Sequence, residues 1–449
     1  HIYACTDDGL IHFTKNNGSQ WVTMSVEKLP NLPKSSFVND IKADLHDVNT
    51  VYVDWDNHKF GDYSPYLYKS ENGGKSWKSI VVGLPKETLI WRIVQDHIDP
   101  KLLFLATEYG LYFSNNQGGN WIRFSNGLPT ISIRDLAIQK RENDLVLATF
   151  GRGFCVLDDY SPLRSINNEN SNEYLLFDVK EALQYYPIRP GTSSQGSSYF
   201  ESKNPPYGAI FTYNLPESYK SLKSIRSEKE KELDKLKKDI PFAGWDELDK
   251  EINETKSKII LEIRDDKGDL VDRINGSTKK GINRVSWNLS KPLPTILDSN
   301  SRWSRSSLTV KPGKYSVHLL ELVQGSVNEL TKSKTFDVKR IRENILKNPL
   351  NSKIDEFILE LNEFEIESSV MISDYIKSKK KQSSFDNTLR YINNIDSDLL
   401  NRLNELKDNM NLIDVLLYGN KSKKDIMEKD IPQVFERLGS AKRGLSSSY

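Results

Sequence analysis

Asp56-Asn57-His58-Lys59-Phe60-Gly61-Asp62 puts two carboxylates, an imidazole and an ammonium group on one short stretch. Such a set can contact a ligand or an ion, and here Asp56, His58, Lys59 and Asp62 are the groups that would do so. The plainer alternative is that Asp56, His58 and Asp62 bond the backbone of their own loop. Other connections carry sparser polar groups: Asp7 and Asp8, Glu108 and Tyr109, then Phe150 and Arg152. Arg152 could equally bridge to Asp158 or Asp159 and fasten its own segment. Known catalytic patterns are missing from the sequence. The six histidines (His1, His12, His46, His58, His97 and His318) form no HExxH or other close metal pair, so no metal is expected. There is no Walker loop and no Gly-x-Ser-x-Gly elbow; Gly151-Arg152-Gly153 is too short to cradle a phosphate. No cofactor is implied.

The elements that would position these groups follow from an internal repeat. Three octets, at 14–21, 70–77 and 114–121, fit Ser/Thr-x-Asn-x-Gly-x-x-Trp. They fix Thr14, Asn16, Gly18 and Trp21; Ser70, Asn72, Gly74 and Trp77; and Ser114, Asn116, Gly118 and Trp121. The hydroxyl and the Asn side chain can bond the turn's own amides, Gly supplies a positive φ, and Trp packs under the turn. Alternating β-branched and aromatic runs flank each octet, giving a unit of about 45 to 55 residues that reads as a four-stranded antiparallel blade. A further unit starts at Asp144 without an octet. Labelling strands A to D from the axis outward, the octet is the C to D turn, and the polar groups above lie on B to C connections of the opposite face.

These octets resemble Asp-box, or bacterial neuraminidase, repeats with Asn in place of the usual Asp. The segments 54–77 and 147–164 are similar to the final propeller blades of a bacterial family of sortilin-like proteins, often labelled glycosyl hydrolases. The resemblance covers residues 1–164 and implies a β-propeller. Segments 204–215, 261–271, 281–290 and 310–319 resemble the β-sandwich that follows the propeller in that family. One departure is that the chain opens on a B strand and holds roughly three and a half blades, so the missing blades are expected in a preceding part or in another chain. The first residues lack an initiator Met and the last lack a helix stop, so both ends are expected to be cut from a longer protein.

Further along, 165–205 is rich in Ser, Asn, Gly and Pro and reads as a linker that contacts both neighbours, with only 174–179 and 181–188 able to pack; 206–338 alternates as an immunoglobulin or fibronectin III-like sandwich. A charged helical hairpin is expected as an insertion at 217–257, with partner binding one possible role. Residues 339–449 carry i, i+3, i+4, i+7 apolar stripes of an antiparallel bundle, the second helix starting at Phe385. With 63 basic and 62 acidic residues in 449, no global field favours nucleic acid or an anionic membrane. Basic runs such as Ser378-Lys-Lys-Lys-Gln382 suit solvated helix ends. No stretch has the eighteen or so apolar residues of a membrane span. Cys5 and Cys155 match no zinc or redox spacing; both are expected as unpaired, buried small apolar residues, with a bridge between them left open.

The expectation is a multidomain, mainly β chain: partial Asp-box propeller, sandwich, helical bundle. It would be a non-catalytic, secreted or cell-envelope bacterial protein that binds protein or peptide, the bacterial origin also fitting the richness in Lys, Asn and Ile. One alternative is a sialidase-like glycoside hydrolase, which needs an arginine cluster, a tyrosine nucleophile and an acid. Arg92, Arg123, Arg134, Arg141 and Arg152 give no such cluster by spacing, so most catalytic groups would lie elsewhere. Another is a structural subunit of an envelope or secretion assembly.

Overall fold

Period-two alternation in the first 160 residues becomes four antiparallel sheets. The structure is a computed structural model describing residues 1–24, 29–124, 126–166, 170, 172–185, 202, 204–294, 307–341, 351–389, 391–428, 437 and 440. The first sheet is β1 (Ile2–Cys5), β2 (Ile11–Thr14) and β3 (Val22–Met24). The second is β4 (Phe37–Ala43), β5 (Val51–Asn57), β6 (Asp62–Ser70) and β7 (Lys78–Ser79). The third is β8 (Ile90–Gln95), β9 (Leu103–Thr107), β10 (Gly110–Ser114) and β11 (Ile122–Phe124). The fourth is β12 (Ile133–Gln139), β13 (Asp144–Thr149) and β14 (Phe154–Leu157).

Each sheet packs face to face on the next, in a propeller-like series, with β4 beside β8 and β8 beside β12. Alternate residues of one strand therefore enter different cores. In β5, Val51, Val53 and Trp55 meet Ile11 and Met24 of the first sheet. Tyr52, between them, points the other way, to Ile93, Leu103 and Leu105 of the third. Phe104 and Ala106 in turn join Leu136, Leu145 and Leu147 of the fourth.

The octets sit between β2 and β3, β6 and β7, and β10 and β11, with one bonding scheme in all three. The amides of Gly18, Gly74 and Gly118 donate to the hydroxyl oxygens of Thr14, Ser70 and Ser114 at 3.0, 2.9 and 2.9 Å. The Asn16, Asn72 and Asn116 side-chain oxygens each accept the amide four residues on, at 2.9 Å. The tryptophans reach beyond their own turns. Trp121 Nε1–H donates to Ile80 O of the preceding sheet at 2.7 Å, and Trp77 packs beside Met24. Gly118 (φ +85°) lies so close to Ile80 that a Cβ would come within 2.6 Å of it. Trp21 is 47% exposed, whereas Trp121 is 3% exposed.

Two pieces of the segment read as a linker are strands: β15 (Leu175–Leu176) and β16 (Ala182–Gln184). They lie in the two stretches able to pack, and each offers a short backbone edge to a neighbouring strand. They join β17 (Ala209–Leu215), β18 (Lys258–Asp265), β19 (Leu270–Gly276) and β20 (Gly281–Trp287). Beyond these come β21 (Ser290–Pro292), β22 (Ser307–Thr309), β23 (Gly313–Val323), β24 (Ser326–Glu329) and β25 (Lys334–Arg340). The sheet β15-β17-β20 and the sheet β16-β25-β23-β18-β19 share one core containing Phe211, Tyr213, Leu261, Trp287, Val317 and Phe336. Arg284 on β20 donates to the Asp158 and Asp159 carbonyls and ties this core to the fourth sheet.

Between β17 and β18 stand α1 (Leu222–Lys235) and α2 (Trp245–Ile252). The C-terminal part holds α3 (Asn351–Leu389), α4 (Ser397–Tyr418) and α5 (Lys421–Asp425). The Phe385 start expected for the second long helix is incorrect. Thr388 and Gln382 bond Ser384 and Asp386 within α3, which runs on to Leu389, and Asp396 caps the new helix by accepting the Asp398 amide. Tyr375 bonds Met410 O and Asp414, which pairs α3 with α4. Among the described residues no helix is long and apolar enough to cross a membrane. Cys5 and Cys155 are both free, which closes the question of a bridge, but both are half-buried rather than buried as expected, each lying on a short strand with a partly open face.

Candidate functional site

Three inner strands share a defect that builds a cleft. In β4, β8 and β12 the register slips by one residue, between Val38 and Asp40, Ile90 and Arg92, and Ile133 and Asp135. The extra residues are Asn39, Trp91 and Arg134. A bulge leaves its residue unpaired and re-aims its side chain, and here it does so on the same rung of three successive sheets. Asn39 Nδ2–H donates across to Ile90 O at 2.6 Å. One rung on, Arg92 spans three sheets, pairing with Asp40 at 2.7 Å and Asp135 at 2.9 Å.

Above this rung lies a cavity of about 470 Å³. The β5 to β6 side contributes His58 and Tyr63; the approach to β8 contributes Glu87 and Leu89, followed by Trp91 itself. The β9 to β10 turn adds Glu108 and Tyr109, and Arg134 closes the far wall. Arg134 lies over the Trp91 ring at 3.7 Å with Phe150 at 5.4 Å, so its guanidinium is held flat between aromatic rings. Glu108 Oε2 is occupied three times: by Trp91 Nε1–H at 2.8 Å, by Ser132 Oγ–H at 3.0 Å and by the Arg134 charge at 3.3 Å. Beyond this ion pair, made through Nη2, Arg134 has no polar partner among the described residues, and its side chain is 39% exposed.

The groups singled out in the sequence divide in two. His58, Glu108 and Tyr109 line the cavity. Asp56, buried to 1% exposure, accepts His58 Nδ1–H at 2.6 Å and the His58 amide at 2.8 Å, so it orients the imidazole from below. Asp62 accepts Tyr66 Oη–H at 2.6 Å and the Ser64 amide at 3.0 Å. Burial acts to raise its pKa, but those bonds prevail and hold it below the ordinary value. Lys59 lies over the Phe37 ring at 4.2 Å. Arg152 is exposed and makes no ion pair among the described residues, so the bridge to Asp158 or Asp159 offered as its alternative does not form. Asp159 instead turns its carboxylate to its own turn, where Oδ1 accepts the Ser161 amide at 3.2 Å and the Ser161 hydroxyl at 2.6 Å.

Tyr63, Glu87, Leu89 and Trp91 were absent from the sequence reading, and Arg134 entered it only among arginines that form no cluster by spacing. The available signal was a break of alternation at the start of each A strand, as in Leu89-Ile-Trp-Arg-Ile-Val94, where Trp and Arg stand together between core residues. Beneath the rung, Asp54 is fully buried opposite Asp40, and neither of its carboxylate oxygens has a hydrogen-bond partner among the described residues. Burial first, then the Asp40 charge, pushes its pKa well above the ordinary range. Among the described residues no group of three or more His, Cys, Asp or Glu is placed to hold a metal ion.

No family model matches the chain, and no curated protein matches it. Among solved structures, an ancestral GH74 enzyme is similar over 33% of this chain and 20% of its own, at 18% identity and a TM-score of 0.27. YCF48 bound to D1 peptide is similar over 35% of this chain and 46% of its own, at 15% identity and a TM-score of 0.26. The extracellular domain of a one-component system from B. thetaiotaomicron is similar over 76% of this chain and 36% of its own, at 12% identity and a TM-score of 0.25. The chain thus spans less than half the length of each of these structures. With every TM-score far below 0.5, the functional reading stands on the chain's own residues.

Proposed function

We propose that this chain is a non-catalytic protein- or peptide-binding module in which a sortilin-like, Asp-box propeller arc carries the recognition cleft. An immunoglobulin-like sandwich and a helical bundle would follow it as scaffold, in a secreted or cell-envelope setting. One observation carries the reading: the cleft interleaves aromatic walls with a partly exposed guanidinium, while its best-placed carboxylate is engaged by Trp91, Ser132 and that guanidinium. A peptide offers carbonyls or a carboxylate to Arg134 and apolar side chains to Tyr63, Trp91 and Tyr109. Aromatic and Arg anchors of this kind dominate binding energies.

The test is a fluorescence-anisotropy screen of a random peptide library against the chain, followed by Arg134→Ala and Trp91→Ala. Loss of about thirtyfold in affinity in each variant, the equivalent of about 2 kcal/mol, with unchanged circular dichroism, would support the reading. Selected peptides that bind both variants as tightly as the parent would overturn it.

A glycoside hydrolase remains as a second reading because Glu87 and Glu108 line the same cleft. It requires one of them to act as acid and the other as nucleophile or base, against the engagement of Glu108 by three partners. Turnover of an aryl glycoside that vanishes in both Glu87→Gln and Glu108→Gln would favour it over binding alone.

A further inference from the structure

Asp56 lies on β5 at 1% exposure, and both of its oxygens go to His58: Oδ1 accepts the amide at 2.8 Å and Oδ2 the ring Nδ1–H at 2.6 Å. The ring so held is 36% exposed, at the wall of the cavity. Taking a carboxylate out of water is costly unless its bonds are good, and a loop that needs only its turn is served by the amide bond alone. The second bond fixes a side chain. Its walls are fixed as well. The imidazole meets Phe37 edge-on at 5.9 Å and Trp91 at 6.2 Å; Lys59 lies over Phe37 at 4.2 Å, and Trp91 is anchored through Nε1–H to Glu108 at 2.8 Å. Turning the ring over would forfeit Asp56 and both aromatic contacts.

The tautomer follows from Asp56. A carboxylate only accepts, so the ring proton sits on Nδ1, and the uncharged imidazole presents Nε2 as a bare acceptor. Nε2 has no hydrogen-bond partner among the described residues. On the other walls Glu87 and Glu108 are acceptors themselves, and Arg134 directs Nη2 to Glu108. The cavity thus holds an acceptor of fixed position, and what satisfies it is an N–H or O–H of the molecule that enters. A site built around such an atom rejects ligands of equal size that leave it unpaired.

We propose that His58 Nε2 is a specificity-determining acceptor of the cleft, selecting peptides that place a side-chain donor there, and that Asp56 is its positioning residue. This selection presupposes the peptide-binding role proposed above and adds what the ligand must carry. Asp56→Asn has a defined consequence. The His58 amide needs the side-chain oxygen, so the new NH2 group faces Nδ1, the ring proton moves to Nε2, and the acceptor becomes a donor.

The test uses the full chain and four pools of fluorescein-labelled octapeptides, random except for a central Gln, Lys, Met or Glu. By anisotropy the parent should bind the Gln and Lys pools about tenfold more tightly than the Met and Glu pools, and Gln against Lys tells a neutral donor from a cationic one. His58→Phe should erase the preference, and Asp56→Asn should turn it toward Glu. Heteronuclear NMR of the histidine ring nitrogens at about pH 8, where an ordinary imidazole is uncharged, should show a bare Nε2 in the parent and a protonated one in Asp56→Asn. The His58 signals are identified by their absence in His58→Phe, and unchanged signals from the other histidines report that both variants are folded. A protonated Nε2 in the parent, a preference that survives His58→Phe, or one unmoved by Asp56→Asn would overturn the proposal. Pools bound alike, or Glu bound best, with binding lost in Trp91→Ala, would overturn it while sparing the peptide-binding role; no binding of any pool would overturn both.

Discussion

Replacing the octet tryptophans one at a time should give a graded loss of stability, set by the neighbouring sheet rather than by the turn. Trp121 is 3% exposed among Ile80, Leu103 and Leu105. Removing its side chain forfeits about 200 Å² of burial at about 25 cal/mol per Å², or about 5 kcal/mol, which agrees with the 3–5 kcal/mol usual for Trp→Ala in a core. It also strips the Ile80 carbonyl of its indole donor. Trp21, 47% exposed, loses about half that area, and the hole opens to water, so about 1–2 kcal/mol is expected. Trp77, half-buried against Met24, should fall between. Hydrogen exchange read by mass spectrometry on the peptides carrying each turn measures this directly, since each 1.4 kcal/mol multiplies the local opening constant tenfold. Trp121→Ala should speed exchange by about a thousandfold, and Trp21→Ala by about tenfold. The Trp121 effect must also reach the amides of Lys78–Ile80 in the preceding sheet. Equal effects at Trp21 and Trp121, or an unchanged Lys78–Ile80 segment, would refute the idea that the ring seats one sheet on the next.

Asp54 and Asp96 predict opposite pH dependences. Asp54 has its folded pKa raised by burial and by Asp40, so it binds a proton more tightly in the folded chain, and stability falls as pH rises from about 4 toward the folded value. Asp54→Asn should remove that fall and converge with the parent below about pH 4; urea midpoints that stay parallel across this range would contradict it. For Asp96, burial acts to raise the pKa, but Arg164 at 2.7 and 2.9 Å and Tyr160 at 2.6 Å outweigh it and hold the group at about 2. Its contribution is present above about pH 4 and lost as pH falls toward 2. Arg164→Met should therefore cost about 3–5 kcal/mol at pH 7 by stranding a buried carboxylate and raise the acid-unfolding midpoint, with little difference left near pH 2.

How much of this was legible in the sequence depended on the range over which each feature is specified. The octets were readable because their chemistry closes within eight residues: Ser70, Asn72 and Gly74 meet only their own turn. The same locality hid what Trp77 and Trp121 do, since Met24 and Ile80 lie some 40 to 50 residues upstream and carry no mark of the pairing. The β15 and β16 strands escaped for a related reason. Two or three residues are enough when the partner strand supplies the ladder, so 174–179 and 181–188 could be read as able to pack while their strand partners stayed hidden. The cleft was harder still. Its walls come from three sheets, and the residues that form it are those that violate alternation, so a search for regular strands reads Trp91 and Arg134 as noise. Placed on one rung, the violations acquire a meaning. A paired Trp91 would have entered the core between sheets, whereas the bulge turns it toward Glu108 and His58, and the matching bulge at Arg134 lays the guanidinium upon it. Arg92, one residue further, stays in register and binds Asp40 and Asp135, so the rung that aims the cleft also locks the three sheets that carry it. Under the proposed binding role, recognition and sheet-to-sheet adhesion would be separated by a single residue in β8 and in β12. Substitutions at 91 and 134 should accordingly change binding, and substitution at 92 should change stability.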